Sequence, residues 1–215
     1  MNSVFLLFIW IIILAGFVGW FKFKLPIWKG RLGERFVNKK LLELDSLHYK
    51  VLDDLLLPSI GNTATTQIDH VVVSNYGIFC IETKDYAGWI FGDTQQEYWT
   101  QVIYRTKNRF YNPLRQNYAH TKAIEILIKP LFPNILIIPF IIFPSAKKLK
   151  ISGTDSVGNG TDTVSKIRSY RNFVLSDVDR DKIYEILLKA DIKGDEARKS
   201  HLMSARAIKG GNPNV

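Results

Sequence analysis

The hydrophobic and polar positions of this chain fall into segments of different period. Residues 30–44 and 112–129 carry apolar side chains at helical spacing, and Asn112 followed by Pro113 is a typical helix start. Residues 67–84 contain two β-branched apolar runs joined by a polar turn, which predicts a β-hairpin. The same criteria predict further strands at 49–55, 89–91, 98–102 and 134–143, a helix at 176–190, and loops at 58–66 and 152–165.

The longest uncharged run is at the N-terminus. Residues 4–21 form an apolar stretch of eighteen residues, near the lower limit for a membrane-spanning helix. A secretory signal peptide is the alternative, but no Lys or Arg precedes the run and no small-residue cleavage site follows it. We therefore predict a single-pass anchor at residues 1–25. Lys22, Lys24, Lys29 and Arg31 follow the run, so the positive-inside rule places the C-terminal side in the cytoplasm. We therefore expect a protein of the inner or cell membrane with its body in the cytoplasm.

Three charged residues interrupt the apolar strands of the predicted hairpin. An even loop places Val73 opposite Ile78 and Asp69 opposite Glu82, and Lys84 then lies on the same face of the sheet. Two facing carboxylates repel each other unless a cation lies between them, and their oxygen atoms suit a divalent ion such as Mg²⁺. The ammonium group of Lys84 could hold a water or a phosphate. An odd loop or a bulge would remove this arrangement.

The net charge indicates a polyanionic partner. The chain has 29 basic and 20 acidic residues, and residues 104–150 contain nine of the basic residues but a single acidic one. This density suits either nucleic acid or anionic lipid, and charge alone does not choose between them. The aromatic residues of the second predicted hairpin are interpreted as core and edge packing rather than as a platform for base stacking.

The sequence lacks the motifs of several common classes of metal-binding and catalytic site. The single cysteine, Cys80, lies in an apolar strand and is interpreted as a buried core residue, since one cysteine cannot form an internal disulfide. We find no Cys/His zinc cluster, no Gly-rich phosphate loop ending in Gly-Lys-Ser/Thr, and no Ser-His-Asp signature. The tail from residue 191 is polar and predicts a flexible extension.

Five segments, in order, resemble the nuclease-related domain (NERD) family, a branch of the PD-(D/E)XK nuclease superfamily. They are KGRLGE (29–34), QIDHVVV (67–73), GIFCIETK (77–84), YWTQ (98–101) and NPLRQN (112–117). The Pro that precedes the Asp in the superfamily motif is Ile68 here. The resemblance covers residues 29–145, between the anchor at 1–25 and two further segments: a helical and loop extension at 146–190 and the polar tail at 191–215.

The resemblance implies an α/β fold of the restriction-endonuclease type, with a mixed central β-sheet flanked by helices and the hairpin at its centre. It also implies a site. Asp69, Glu82 and the helical Glu34 would bind Mg²⁺ or Mn²⁺, Lys84 would orient the attacking water, and Gln116 would supply a further polar group from the following helix. The basic segment is expected to contact the phosphate backbone of nucleic acid, through residues that include Arg105, Lys107, Arg109, Arg115 and Lys122.

Two functions remain open on this basis. The first is a membrane-anchored, metal-dependent nuclease that hydrolyses phosphodiester bonds, with DNA as the expected partner. The second is a catalytically weak scaffold of the same fold that binds DNA or anionic lipid at the cytoplasmic membrane face. The set of Glu34, Asp69, Glu82 and Lys84 favours the first, because a scaffold has little use for paired carboxylates within a strand.

Overall fold

The computed structural model describes residues 10–14, 17, 30–59 and 63–210. Residues 10–14 and 17 are helical, and the rest of the membrane span predicted at residues 4–21 lies outside the described residues. Within the described ranges, the structure contains no helix with both the length and the apolar character needed to cross a bilayer.

From residue 30 onwards, the described elements come in blocks: a helix, six strands, a helix, three strands and three helices. Helix α1 covers residues 30–41. The strands that follow are β1 (Tyr49–Pro58), β2 (Thr65–Ser74), β3 (Gly77–Thr83), β4 (Gly88–Asp93), β5 (Tyr98–Ile103), β6 (Thr106–Tyr111), β7 (Ile137–Ile142), β8 (Ala146–Ser152) and β9 (Val157–Gly158). The further helices are α2 (Pro113–Ile128), α3 (Gly160–Ser169), α4 (Asp177–Ala190) and α5 (Asp195–Gly210).

The first sheet has five strands in the order β1-β2-β3-β7-β9. The predicted hairpin is confirmed: β2 and β3 pair around the two-residue turn Asn75-Tyr76, with Val73 opposite Ile78. β7 then lies parallel to β3, as expected for a strand that returns through the crossover containing α2. β3 is therefore the central strand of a mixed sheet.

Helices cover both faces of this sheet. One face packs against α2 and α4, where Val71, Cys80 and Ile124 lie in a common buried cluster. The other face packs against α1 and α3, and this second cluster contains Val37 and Phe79. Because every residue of β3 is buried, the strand reads as a continuous apolar run apart from Glu82 and Thr83.

The second sheet has four strands in the order β6-β5-β4-β8. The predicted second hairpin is confirmed as the antiparallel pair β4–β5, with Ile90 opposite Gln101. Ile90 and Trp99 are fully buried and pack with Phe143 on the inner face of the sheet. Gly92 leaves room for Trp99, since a Cβ atom at Gly92 would lie 2.4 Å from the indole ring.

Several elements differ from the sequence prediction. Two mixed sheets replace the single central sheet, because β4 pairs with β8 and does not join β3. β6 was not predicted, since most of its residues are exposed and polar. The predicted loop at 152–165 contains β9 and the start of α3, whose N-terminus is capped by the side chain of Asn159. The extension at 146–190 thus contributes strands as well as helices.

The predicted polar tail is helical from Asp195 to Gly210. α5 contacts the first sheet through Arg198, which donates a hydrogen bond of 2.7 Å to Asp54, and through His201, whose ring lies 3.0 Å from the Thr65 hydroxyl. The apolar stripe predicted on α1 is also shifted. Leu32 is 61% exposed, whereas Gly33, Val37 and Leu41, at spacing i, i+4, i+8, face the interior.

Candidate active site

The register of the hairpin brings Asp69 and Glu82 together. The last paired residues of β2 and β3 are His70 and Ile81, so the next positions are Asp69 and Glu82, as the even loop predicted. The backbone N–H of Thr83 donates a hydrogen bond of 2.7 Å to Oδ2 of Asp69. The Asp69 side chain thereby closes the end of the hairpin where the backbone ladder stops.

Glu82 is the centre of a buried polar network. Its Oε1 atom lies 2.6 Å from Nζ of Lys84 and accepts a hydrogen bond of 2.7 Å from Nε2 of Gln116. The ammonium group of Lys84 also donates to Oε1 of Gln116 at 2.9 Å. Glu82, Lys84 and Gln116 therefore form a closed triangle, which fixes the direction of the Lys84 ammonium group.

His120 fixes the other oxygen of Glu82. Nε2 of His120 lies 3.1 Å from Oε2 of Glu82, and Nδ1 lies 2.7 Å from the hydroxyl of Thr66. With its proton on Nε2, the ring donates to the carboxylate and accepts the Thr66 hydroxyl at Nδ1. Both oxygens of Glu82 are thus engaged, by Lys84 after β3 and by Gln116 and His120 of α2, and Thr66 of β2 holds His120.

One turn of α2 holds both the network and the sheet. Asn117 is fully buried, and its Nδ2 atom donates hydrogen bonds of 3.0 Å to the carbonyl oxygens of Cys80 on β3 and Phe140 on β7. The N-cap, Asn112, accepts from the N–H of Leu114 at 2.9 Å and donates to the carbonyl of Gln96 at 2.7 Å. These contacts set both the position and the rotation of α2, so Gln116 and His120 point at Glu82.

The environment favours a charged pair at Glu82 and Lys84. Burial by itself would raise the pKa of Glu82, but the positive charge of Lys84 and the hydrogen bond from His120 lower it to about 2. Burial would lower the pKa of Lys84, but the negative charge of Glu82 raises it above its ordinary value. The pair is therefore ionised at neutral pH.

The pKa of Asp69 is shifted in the opposite direction from that of Glu82. Burial and, after it, the negative charge of Glu82 raise the pKa of Asp69 well above its ordinary value, and the hydrogen bond from Thr83 offsets this only in part. Two neighbouring carboxylates with pKa values moved in opposite directions are typical of functional sites. A cation placed beside Asp69 would favour its ionised form.

Cys80 belongs to the structural part of this region. The residue is fully buried, as predicted, and its sulfur lies 3.0 Å from Oδ1 of Asn117. Burial, followed by the negative charges of Glu82 and Asp69, raises the pKa of the thiol well above its ordinary value. A thiol held in its neutral form is a poor nucleophile, so Cys80 acts as a core residue.

Glu34 approaches the site from the other face of the sheet. It is half-buried on α1, and its pKa is raised by burial and by the negative charges of Asp54 and Glu82. α1 comes close to the end of the hairpin because residue 33 is glycine: a Cβ atom there would lie 2.7 Å from Cβ of Asp85. Glu34 thus lies within electrostatic reach of both Glu82 and Lys84.

Polar atoms also cluster on the α1 side of the hairpin end. In the described part of the chain, three buried side-chain atoms find no hydrogen-bonding partner: Nδ1 of His70, Oγ1 of Thr83 and Oδ1 of Asp85. Burial lowers the pKa of His70 to about 4, so the ring is neutral at physiological pH. Unpaired buried polar atoms are costly and are concentrated here on residues that flank Asp69 and Lys84.

The carboxylates provide the donor type that Mg²⁺ or Mn²⁺ requires, but not a complete ligand set. Among the described residues, no group of three or more His, Cys, Asp or Glu side chains is arranged to hold a metal ion. Lys84 and Gln116 engage Oε1 of Glu82, so this oxygen is already bonded. Asp69 fits a cation best, since its raised pKa arises from burial and from a facing carboxylate, both of which a divalent ion would counteract.

The five basic residues expected to contact nucleic acid are all exposed but lie in two groups. Arg105, Lys107 and Arg109 are on the β5–β6 hairpin, at the β6 edge of the second sheet. Arg115 and Lys122 are on α2, where Arg115 donates to the carbonyl of Gln95 at 3.1 Å and Lys122 pairs with Glu125 at 2.5 Å. Arg115 lies one residue from Gln116 and is thus near the candidate site.

Sequence reasoning missed two residues of the network. His120 and Thr66 hold Glu82 in place, yet neither was assigned a role. The signal for His120 is its position one helical turn after Gln116, next to the apolar side of α2. Thr66 has no comparable signal, because its contact depends on how β2 packs against α2.

Comparison with known proteins places these observations in a family. The family model of the nuclease-related domain (NERD) matches residues 29–144. An uncharacterized protein of Bacillus anthracis is 38% identical over 179 residues, which cover 82% of this chain and 84% of that protein. The crystal structure of AF1548, a protein of unknown function, aligns over 82% of this chain and 97% of that chain, with 13% identity and a TM-score of 0.29.

Proposed function

Because the chain belongs to the nuclease-related domain family, we propose that it is a metal-dependent nuclease that hydrolyses phosphodiester bonds, with DNA as the expected substrate. The observation that carries the proposal is the buried network of Glu82, Lys84 and Gln116 beside Asp69. A network that holds one ammonium group in a fixed direction next to a carboxylate of raised pKa suits phosphoryl transfer.

Each residue of the network has a role in this proposal. Asp69, with Glu82 and then Glu34, would hold Mg²⁺ or Mn²⁺. Such an ion supplies charge stabilisation for the phosphate and a lower pKa for a bound water. Lys84 donates to the attacking water or to a phosphate oxygen, and its direction is set by Gln116 at 2.9 Å. His120 and Thr66 are positioning residues, since they act through Glu82.

The proposal includes attachment to the inner or cell membrane. The uncharged run at residues 4–21 and the basic residues that follow it support a single-pass anchor with the body in the cytoplasm. Reporter fusions at the two ends of the full chain test this orientation. A C-terminal reporter that is active only outside the cytoplasm contradicts it.

Cleavage assays with matched variants test the chemistry. The full-length chain is incubated with plasmid and linear DNA in the presence of Mg²⁺, Mn²⁺ or EDTA. Asp69→Asn is expected to reduce cleavage by at least about 10²-fold, whereas Glu43→Gln, an exposed control on the segment after α1, is expected to leave it unchanged. Cleavage that persists in Asp69→Asn, or in EDTA, refutes this site.

One observation favours the second candidate function. Lys84 and Gln116 already occupy Oε1 of Glu82, and the described residues form no three-ligand metal group. A catalytically weak scaffold that binds DNA or anionic lipid predicts salt-sensitive binding that Asp69→Asn leaves unchanged, and no cleavage by the wild type. Measurement of binding and cleavage on the same preparations therefore separates the two functions.

A further inference from the structure

The outer face of the second sheet carries aromatic and basic side chains in register. Trp89 lies between Lys148 of β8 and Val102 of β5, and two residues further along β4 Phe91 lies next to Lys150. Across β5, Thr100 pairs with Arg109 and Tyr98 with Tyr111. We call this surface the stacking face and define it by six residues: Trp89, Phe91, Tyr98, Arg109, Lys148 and Lys150.

The stacking face is distinct from the core-facing side of the same sheet. Ile90 and Trp99 alternate with the residues of the stacking face and are fully buried. The side chains that fill the core of this sheet therefore lie on its inner side. Trp89, in contrast, is 45% exposed. The interpretation of the aromatic residues of the second predicted hairpin as packing holds for Trp99 but leaves Trp89 and Phe91 without a core to fill.

Cationic groups surround the exposed rings. Nζ of Lys150 lies 5.2 Å from the ring centroid of Trp89 and 5.1 Å from that of Phe91, and Nζ of Lys148 lies 5.4 Å from Trp89. The guanidinium group of Arg109 lies 4.9 Å from the ring of Tyr98. Rings bordered by cations on a solvent-exposed sheet offer flat apolar surfaces to bases and positive charge to phosphates.

We propose that the stacking face binds single-stranded nucleic acid, with bases on Trp89 and Phe91 and phosphates on Lys148, Lys150 and Arg109. The two ring centroids are 6.2 Å apart, and neighbouring rings on a sheet surface are a known way to accept successive unstacked bases. A duplex hides its base faces, and a lipid headgroup has no planar ring to place on Trp89. A duplex would use the lysines but leave the ring faces without a ligand, whereas an anionic membrane would use the rings by insertion at its interface, which the vesicle outcome below tests.

The position of the face connects it with the candidate active site. Trp89 follows Lys84 by five residues, so the two Cα atoms lie at most about 18 Å apart. The link is tied to the sheet, since Nε2 of Gln101 donates to the carbonyl of Ala87 at 2.9 Å. The row of Trp89 and Lys148 is the one nearest to Lys84 in the chain, and the acidic Asp93 lies at the opposite end of β4. The Trp89 end of the face is therefore the end that the short segment after Lys84 joins to the site.

The experiment measures binding without cleavage. This inference takes nucleic acid as the ligand class from the proposed function, so the full-length chain is titrated in EDTA with fluorescent oligo-dT of about 20 nucleotides and with a duplex of equal length. The variant Trp89→Ala/Phe91→Ala is compared with Phe173→Ala, an exposed ring between α3 and α4. Lys148→Ala/Lys150→Ala is compared with Lys189→Ala/Lys199→Ala, which removes equal charge from exposed positions on α4 and α5.

The expected results differ for the two pairs. Trp89→Ala/Phe91→Ala weakens oligo-dT binding by about 5- to 100-fold with an unchanged thermal midpoint, and Phe173→Ala does not. Lys148→Ala/Lys150→Ala lowers the slope of log K against log salt by about 1.4, and its control lowers it less. A wild type that cleaves no DNA but binds oligo-dT in a manner that depends on Trp89 and Phe91 refutes the nuclease proposal and supports the stacking face.

Three outcomes overturn the inference. The first is oligo-dT binding by Trp89→Ala/Phe91→Ala equal to that of the wild type. The second is equal affinity of the wild type for the duplex and the single strand, together with an aromatic variant whose affinity for each ligand equals that of the wild type. The third is binding only to phosphatidylserine vesicles, lost in the lysine variants, with no affinity for oligo-dT. The third result assigns the surface to an anionic membrane.

Discussion

The two sheets use charged residues in opposite ways. In the first sheet, Glu82 is 2% exposed and is bonded to Lys84, Gln116 and His120, so its charge is balanced inside the protein. In the second sheet, Lys148 and Lys150 are exposed, and their ammonium groups lie over the rings of Trp89 and Phe91. Buried charges must be matched for the protein to fold, whereas exposed ones are available to an external ligand.

The largest expected effect is on the stability of the first sheet. Glu82→Ala leaves the Lys84 ammonium group half-buried without its carboxylate, and removal of one partner of a buried pair costs about 3–5 kcal/mol. Urea unfolding measures this loss. Asp93→Ala, at an acidic position of the second sheet that bonds Ser152, is expected to shift the urea midpoint far less. Equal shifts for the two variants would show that burial does not distinguish the sheets.

The pH dependence of stability also separates the sheets. Because His70 in the folded protein has a pKa of about 4, below its value of about 6.5 when unfolded, its contribution to stability is full above pH 6.5 and is lost as the pH falls towards 4. At pH 5 this loss is about 2 kcal/mol relative to pH 8.

His70→Gln is therefore expected to lose about 2 kcal/mol less stability than the wild type between pH 8 and pH 5. Urea midpoints at the two pH values measure the difference. β4, β5, β6 and β8 contain no histidine, so Lys150→Ala is expected to keep the wild-type pH dependence. If the free energy of unfolding falls equally in His70→Gln and in the wild type between pH 8 and pH 5, the neutral, buried state of His70 is contradicted.

Divalent ions provide the third comparison. Mg²⁺ at ten times its dissociation constant is expected to stabilise the wild type by about 1.4 kcal/mol, because binding to the folded state alone shifts the unfolding equilibrium. Thermal midpoints with and without Mg²⁺ measure this gain in the full-length chain. Asp69→Asn should show none of it, whereas the aromatic variant Trp89→Ala retains it. Stabilisation that survives in Asp69→Asn would place the ion elsewhere.

The smallest expected effect is on the second sheet. Lys150→Ala changes an exposed side chain, so its free energy of unfolding should stay within about 0.5 kcal/mol of the wild type. The substitution is expected to affect binding instead: the slope of log K against log salt for a single-stranded oligonucleotide should fall by about 0.7. Urea unfolding and fluorescence anisotropy on the same sample test both statements. A clear loss of stability would mean that Lys150 supports the sheet.

Local sequence signals predicted the elements whose pattern is self-contained. The alternation on both sides of Asn75-Tyr76 placed Val73 opposite Ile78, and Asn112-Pro113 marked the start of α2. The same signals failed where a segment is polar along its whole length. β6 and α5 carry few apolar residues, and their structure depends on neighbours: β6 pairs with β5, and α5 is tied to Asp54. Propensity without a partner could not predict them.

For a hairpin with an even loop, the sequence alone determined which charges share a face, and the structure decided that the loop is even. A period of two and a two-residue turn suffice to put Asp69, Glu82 and Lys84 on one side of the hairpin, because backbone geometry leaves no other choice. Only the tertiary structure decided what those charges meet. The rotation of α2, set by Asn112 and Asn117, brings Gln116 and His120 to Glu82, and the pairing of β4 with β8 brings Lys148 and Lys150 to Trp89. Such contacts join residues distant in the chain, so they depend on packing and on the register of parallel strands, which local patterns do not specify.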